Sequence, residues 1–196
     1  MPIKFGSALY SKLVREYWTR EHVREKPFAL AVEDFSSAGS LVMTRSALQL
    51  YLYGYDYDRI DEGAKVVMRP RRVTSHRWQD KEIPSGFFFL AGAENVGAVI
   101  FSNSGTIGKF ARMGLITGFG SRRVEMIREG FAYVPASEAS FPQAFRKVVG
   151  GEGYNESWVE GLDVYHNPRA SIPFDPGLLP GATHIRLGEN GQVVAS

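Results

Sequence analysis

The sequence contains no cysteine among its 196 residues. No disulfide can therefore stabilise the fold, and no thiolate is present to bind a metal ion or to attack a substrate. Proteins of reducing compartments commonly lack disulfides, so we expect a cytoplasmic protein. The composition is otherwise that of an ordinary folded chain, with 44% hydrophobic and 22% charged residues.

Long apolar runs and a targeting segment are also missing. The most apolar stretches, Phe87–Leu90 and Val96–Phe101, are far shorter than the roughly 20 residues that a helix needs to cross a bilayer. The first residues lead into a mixed segment and not into the apolar core of a secretory signal. We expect no membrane partner.

Several catalytic signatures are absent as well. No serine lies in a Gly-x-Ser-x-Gly elbow, and no Gly-x-Gly-x-x-Gly fingerprint follows a strand. The four histidines have no i, i+4 pair of the kind that binds zinc on a helix. We expect hydrogen-bonded structural histidines, although His166 and His184 could each meet a carboxylate such as Glu160 or Asp163 in the fold.

Neither charge sign dominates the chain, which carries 23 lysines and arginines against 21 aspartates and glutamates, with a pI of about 8.8. The basic residues are mostly arginine, whose planar fork suits phosphate groups. A GC-rich genome produces the same excess. The charge composition therefore does not distinguish a protein that binds a polyanion from one that does not.

Helical and strand patterns alternate in the first half of the chain. Apolar spacing predicts a helix from Ser7 to Trp18, and Thr44 is expected to cap a second helix that Gly54 stops. Phe28–Val32 reads as a buried parallel strand, and Val96–Phe101 as a central strand. Phe87–Leu90 is expected to be a strand or a core segment.

Strands gather in the second half. Arg122–Arg128 and Ala132–Val134 are expected to pair, and an Asn-Gly turn joins Ile185–Leu187 to Val193–Val194 in a C-terminal hairpin. The polar, glycine-containing segment 135–153 is expected to be a surface excursion. We therefore predict one α/β or α+β domain over 1–196, with a mixed sheet, early flanking helices and a C-terminal β-hairpin.

Two adjacent carboxylates, Glu33 and Asp34, follow the Phe28–Val32 strand. Ligands of open α/β sheets bind outside the carboxyl ends of strands, and oxygen ligands suit a divalent metal such as Mg²⁺. Neighbouring side chains on a strand point to opposite faces, so both can serve one site only if the strand has already turned. The alternative is one carboxylate in a loop contact and one in solvent.

A small-residue loop follows the second buried strand and leads into a helix start. Backbone N–H groups of such a loop can approach an anion, and a lysine can add charge. The spacing is not that of a Walker A loop, because a phenylalanine follows the lysine. The expected anion-binding residues are Ser102, Ser104, Gly105, Thr106 and Lys109, and the alternative is a tight strand-to-helix connection.

A basic cluster with an aromatic residue lies between the two candidate sites. Arginines contact phosphates and aromatic rings stack on bases, so the cluster favours nucleic-acid binding. An exposed loop or edge strand with solvated arginines explains it equally. The expected nucleic-acid-binding residues are Arg69, Arg71, Arg72, Arg77 and Trp78, with His76 among them.

Four segments together resemble a family of uncharacterised bacterial proteins: 28–35, 83–89, 100–107 and 158–168. Longer members of that family have an N-terminal part that resembles the front of a restriction-endonuclease-like core. The resemblance implies that this chain is the rear portion of such a protein, with the metal-binding carboxylates before Met1. No Pro-Asp followed by Glu-x-Lys occurs here, so the resemblance transfers no catalytic residue.

Three functions follow as hypotheses. The favoured one is a nuclease-related, nucleic-acid-associated protein with DNA as partner and without a complete catalytic centre. The first alternative is a small metal-dependent or phosphate-handling enzyme that uses Glu33 or Asp34 and the Ser102–Lys109 loop. The second is a structural or partner-binding domain that pairs through Tyr51, Tyr53, Tyr55 and Tyr57, because tyrosine is enriched at interfaces.

Overall fold

A computed structural model of the protein describes residues 2–35, 40–63, 65–121, 123–132 and 143–196. The chain divides into two compact units. The sheet unit comprises Met1–Asn103 and Gly161–Ser196, and the inserted unit comprises Ser104–Glu160. The single domain expected from the sequence thus contains two separately compact parts.

Three α-helices lie in the described ranges: α1 (Pro2–Leu13), α2 (Ser40–Tyr53) and α3 (Ile107–Ile116). Short 3₁₀ helices cover Tyr17–Thr19, Phe87–Phe89, Ala93–Asn95 and Pro176–Leu178. The strands of the sheet unit are β1 (Ala29–Val32), β2 (Tyr55–Glu62), β3 (Lys65–Arg72), β4 (Ser75–Trp78), β5 (Lys81–Pro84), β6 (Ala98–Ser102), β9 (Leu162–His166), β10 (Thr183–Leu187) and β11 (Val193–Ala195), and those of the inserted unit are β7 (Ile127–Ala132) and β8 (Gln143–Val148).

A five-stranded mixed sheet in the order β1-β6-β9-β10-β11 organises the sheet unit. β1 runs parallel to β6, β6 antiparallel to β9, and β9 parallel to β10. β10 and β11 form the C-terminal hairpin, with Leu187 opposite Val193. The α/β class, the central strand and the C-terminal hairpin are confirmed.

The apolar core of the sheet unit packs on both faces of this sheet. Val99, Phe101 and Tyr165 face a large cluster that includes Leu9 of α1 and Leu52 of α2. A smaller cluster of Ala98, Val164, Phe174 and Ala182 covers the other face. Each fully buried large side chain contributes roughly 1.5–3 kcal/mol to the hydrophobic free energy of folding.

Several element boundaries differ from the sequence predictions. The expected caps Ser7 and Thr44 lie inside α1 and α2. Phe87–Phe89 is a 3₁₀ turn with Phe87 and Phe88 buried, so the expected core segment is confirmed and the strand alternative is wrong; the left-handed Gly86 (φ 75°) precedes the turn. β2 was not predicted from the sequence, and it pairs with β3 over its whole length.

The inserted unit contains α3 and one antiparallel hairpin. Thr106 caps α3, since its side chain accepts a hydrogen bond from the backbone N–H of Lys109 at 3.2 Å. β7 pairs with β8 and includes the end of the expected Arg122–Arg128 strand, whereas residues 133 and 134 of the expected second strand lie outside the described residues. Residues 135–142 of the expected surface excursion lie outside the described residues. None of the described helices is both long and apolar enough to pass through a membrane.

Candidate functional site

The carboxyl end of β1 carries the predicted metal ligands. Glu33 is exposed and Asp34 is buried, as alternation along an extended chain requires. Oδ2 of Asp34 accepts a hydrogen bond from Oγ1 of Thr44 at 2.8 Å. The two carboxylates therefore face different surroundings. Across the described ranges, no group of three or more Asp, Glu or His side chains is placed to hold a metal ion.

A second carboxylate at this end of the sheet, Asp163, forms an ion pair with Arg45. Nε of Arg45 lies 2.8 Å from Oδ2 of Asp163, whose side chain is almost fully buried. Burial raises the pKa of Asp163, and the charge of Arg45 opposes that rise. The arrangement ties α2 to the start of β9, and a structural role accounts for it.

The predicted anion loop is divided between the two units. Ser102 belongs to the sheet unit, where its hydroxyl donates to the carbonyl of Gly161 at 3.3 Å. Ser104, Gly105, Thr106 and Lys109 belong to the inserted unit. Lys109 is buried, and its ammonium donates to the backbone carbonyls of Trp158 at 3.0 Å and Glu160 at 2.5 Å. The Lys109 ammonium was expected to bind an anion, but it donates its hydrogen bonds to these two carbonyls instead.

The predicted nucleic-acid cluster lies on two separate hairpins, β2–β3 and β4–β5. Arg71 on β3 is paired with Asp56 at 3.2 Å and with Asp58 at 3.1 Å. Arg69 is exposed on the same strand and Arg77 is exposed on β4. The side chain of Trp78 lies outside the described side chains.

Arg72, also on β3, has a packing role within the sheet unit. Its Nη1 donates to the carbonyl of Tyr53 at 3.0 Å. Its guanidinium lies 4.9 Å from the ring centroid of Tyr55 and 4.7 Å from that of Phe89. These contacts place Arg72 in the fold and leave the exposed Arg69 and Arg77 as the accessible cations of the cluster.

The tyrosines offered for pairing are mostly internal. Tyr51 and Tyr53 are buried in the main core, and the Tyr53 hydroxyl donates to the carbonyl of Ile185 at 2.8 Å. Tyr57 receives a hydrogen bond from the backbone N–H of Val193 at 2.9 Å. Since these rings hold the sheet unit together, they do not form an exposed pairing surface.

The first turn of α3 exposes two large apolar side chains. Lys109 and Met113 are buried, whereas Ile107 is 90% exposed and Phe110 is 72% exposed. The ring of Phe110 lies 6.0 Å from that of Trp158, which is 58% exposed. Gly114 lies one turn after Phe110 in the helix. The side chain of Phe119, which follows the helix and is also exposed, lies next to Gly114. These four side chains, Ile107, Phe110, Phe119 and Trp158, form what we call the α3 face.

A charged network lies inside the described part of the inserted unit. The Glu156 side chain is 1% exposed and accepts two hydrogen bonds from Arg112, each at 2.8 Å. Nη1 of Arg128 lies 3.7 Å from Oε1 of Glu156, and the Tyr154 hydroxyl also donates a hydrogen bond to this carboxylate. Mainly through Arg112, these donors lower the pKa of Glu156 to about 2. Burial lowers the pKa of the nearby Lys109 ammonium.

Arg128 connects this network to a cavity of about 450 Å³ under the β7–β8 hairpin. Its guanidinium also pairs with Glu160 and lies 5.5 Å from the ring centroid of Phe145. A Cβ on Gly130 would lie 3.3 Å from that ring, so the glycine leaves room for it. Arg128 is therefore neutralised by carboxylates of the same unit, whereas Lys147, the other cation of the lining, has no such partner among the described residues.

The sequence did not reveal the α3 face. The sequence predicts a helix start after the small-residue loop but not which side of the helix is buried. That orientation depends on the carbonyls of Trp158 and Glu160, which receive Lys109, and on the carboxylate of Glu156, which receives Arg112. Comparison of the chain with protein-family models, with curated proteins and with solved structures gives no match.

Proposed function

We propose that this protein is a protein-binding protein, and that the α3 face is where a second copy of the chain docks. The observation that carries the proposal is the orientation of α3, with Ile107 and Phe110 in solvent and Lys109 inside. Contiguous exposed apolar side chains mark interaction surfaces, and aromatic residues are enriched in interface cores. The proposal replaces the tyrosine surface expected from the sequence.

The charges of the inserted unit favour a protein partner over a polyanion. Its cations Lys109, Arg112, Arg128 and Arg146 are engaged by carbonyls or carboxylates of the same unit. Among the described residues, Arg123 and Lys147 are the cations of this unit without such partners. A polyanion would therefore find few free charges.

A second copy suits the α3 face because the face itself is uncharged. Ile107, Phe110, Phe119 and Trp158 carry no charge, so two copies can approach without like-charge repulsion. A two-fold axis would bring the same apolar side chains together, as in most soluble homodimers. Burial of the rings of Phe110 and Trp158 would then provide the main part of the association free energy.

Sedimentation equilibrium over a roughly hundred-fold range of protein concentration tests this proposal. We expect a monomer–dimer equilibrium in the wild type. Phe110→Ser and Trp158→Ser should each weaken association at least about tenfold, which corresponds to about 1.4 kcal/mol. Val194→Ser is the matched control, since Val194 is 56% exposed in the sheet unit.

The two possible failures are distinct. A wild-type protein that stays monomeric over the whole range would reject the second copy as the partner. Equal effects of Phe110→Ser and Val194→Ser would show that dimers form through another surface. Neither substitution removes a buried side chain, so loss of folding does not explain a changed association constant.

Nucleic-acid binding stays a second proposal, supported by the exposed Arg69 and Arg77, which make no ion pair within the described residues. Fluorescence anisotropy with a labelled DNA, at two salt concentrations and with or without Mg²⁺, tests it. Binding through phosphates should weaken steeply with salt. Arg69→Ala with Arg77→Ala should reduce it, whereas Arg146→Ala should not. Cleavage that requires Mg²⁺ would instead support the metal-dependent enzyme.

A further inference from the structure

Two histidines meet on one face of the central sheet. His184 on β10 is in register with Val164 on β9, and His166 follows two residues after Val164 on the same face. Nε2 of His166 lies 2.9 Å from Nδ1 of His184. Ala98 lies opposite His166 on β6, and its small side chain leaves space beside the imidazole.

The surroundings fix where the protons of this pair reside. Nε2 of His184 lies 3.3 Å from the carbonyl oxygen of Leu179, which can only accept, so this nitrogen carries a proton. Nδ1 of His184 then accepts the N–H of His166 Nε2. The remaining nitrogen, Nδ1 of His166, is therefore an unprotonated acceptor, and no donor reaches it from the described residues.

His166 lines a cavity of about 290 Å³ together with Arg186. The other walls are mostly apolar and include Pro173, Phe174 and Leu187. Arg186 is exposed, and its described side-chain hydrogen bond is to the Ser196 hydroxyl at 3.1 Å. The described lining of the cavity contains no carboxylate, so the charge of Arg186 is available to a ligand.

His166 does not easily take up a proton on Nδ1. Burial, and then the charges of Arg186 and His184, lower the pKa of His166 to about 4. At neutral pH, His166 is thus an uncharged acceptor and Arg186 is the cation of the cavity. One cation beside one neutral acceptor matches a ligand with a single negative charge and a hydrogen-bond donor of its own.

We propose that this cavity binds a small organic acid that carries a hydroxyl or N–H group. Its carboxylate pairs with the guanidinium of Arg186. Its hydroxyl or N–H donates to Nδ1 of His166, and its apolar part packs against Phe174 and Leu187. The site lies in the sheet unit and is independent of the α3 face.

Titration of the ¹⁵N-labelled full chain, followed by NMR of the histidine rings and arginine side chains, tests the proposal. The probe is 3-phenyllactate, which combines a carboxylate, a hydroxyl and an apolar group. 3-Phenylpropanoate lacks the hydroxyl, and inorganic phosphate tests a different anion class. Before addition, His166 Nδ1 should show the ¹⁵N shift of an unprotonated imidazole nitrogen.

We expect saturable shifts of His166 Nδ1 and of the Arg186 guanidinium with 3-phenyllactate, and weaker binding of 3-phenylpropanoate. Arg186→Gln should weaken binding at least tenfold. Arg169→Gln is the matched control, since Arg169 is exposed and lies outside the cavity lining. The proposal is overturned by a protonated Nδ1, by the absence of saturable shifts, by equal effects of the two variants, or by preference for phosphate.

Discussion

The two units are stabilised by different means. Of the 22 buried apolar residues among those that the structure describes, 20 lie in the sheet unit, and Met113 and Val149 are those in the inserted unit. The inserted unit instead buries Lys109 and Glu156. Since this unit spans only 57 residues, it is near the size at which a hydrophobic core alone becomes marginal. A charged interior and apolar exterior are consistent with a segment that a partner completes.

This difference determines how each unit should respond to substitution. Apolar burial is non-directional, so the sheet unit should be sensitive to lost volume. A buried ion network depends on each partner being present, so the inserted unit should be sensitive to lost charge. The predictions below begin with the largest expected effect.

Removing volume from the sheet unit should have the largest effect. Phe88 is buried, with its ring 5.4 Å from that of Tyr53. Phe88→Ala should lower the free energy of unfolding by about 3–5 kcal/mol. Phe119→Ala in the inserted unit, where the ring is 76% exposed, should change it by less than about 0.5 kcal/mol. Urea denaturation followed by circular dichroism measures both, and equal values would contradict the contrast.

Removing one charge should have nearly as large an effect in the inserted unit. Glu156→Gln leaves Arg112 and Arg128 without their buried anion and should cost roughly 3 kcal/mol of local stability. Hydrogen exchange should show it as faster exchange in α3 and β7. Glu129→Gln is the control, because Glu129 forms an exposed pair with Arg146 at 3.5 Å. The control should change stability by only about 0–1 kcal/mol. Unchanged protection in Glu156→Gln would refute the network as the main support.

The two units should also lose stability in different pH ranges. The pKa of Glu156 falls from 4.5 to about 2 on folding, so its contribution is complete above pH 4.5 and is lost as the pH falls towards 2. The pKa of His166 falls from 6.5 to about 4, so the unfolded chain takes up that proton first. The sheet unit should therefore weaken as the pH falls from 6.5 towards 4. Hydrogen exchange across both ranges separates the two, and His166→Asn should reduce the upper transition, to which the partly buried His76 also contributes because burial lowers its pKa as well.

The smallest contrast is between neighbouring arginines of the sheet unit. Arg72→Ala removes a hydrogen bond to Tyr53 and two aromatic contacts, and should cost about 1–2 kcal/mol. Arg71→Ala removes an exposed pair with Asp56 and Asp58 and should cost about 0–1 kcal/mol. Thermal unfolding of both variants checks the order. A reversed order would mean that the acidic strand β2 depends on Arg71 for its pairing.

Local signals explain which parts of the fold the sequence predicted. The continuous apolar run at 96–101 is typical of a central strand, and the Asn190-Gly191 pair specifies a tight turn, with Gly191 at φ 74°. β2 escaped prediction because its acidic residues disfavour a strand, although the tyrosines that alternate with them favour one. Its pairing with β3 supplies the stability that its own sequence does not indicate.

The site residues depended on partners far along the chain, and these partners could not be read from spacing. Lys109 is received by carbonyls 49 and 51 residues away. His166 and His184 meet because β9 and β10 run parallel, which no motif in either segment indicates. Asp34 was correctly located at a strand end, but its hydrogen bond to Thr44 could not be foreseen.

The pairing of β6 with β9 has a consequence for synthesis on the ribosome. Ser102 and Leu162 are partners in adjacent strands, although 60 residues separate them in the sequence. At about 5–20 residues per second, β6 waits roughly 3–12 s for the strand that covers its open edge. An uncovered strand edge is a template for wrong pairing. The nascent chain is thus most exposed to aggregation while the inserted unit is being made.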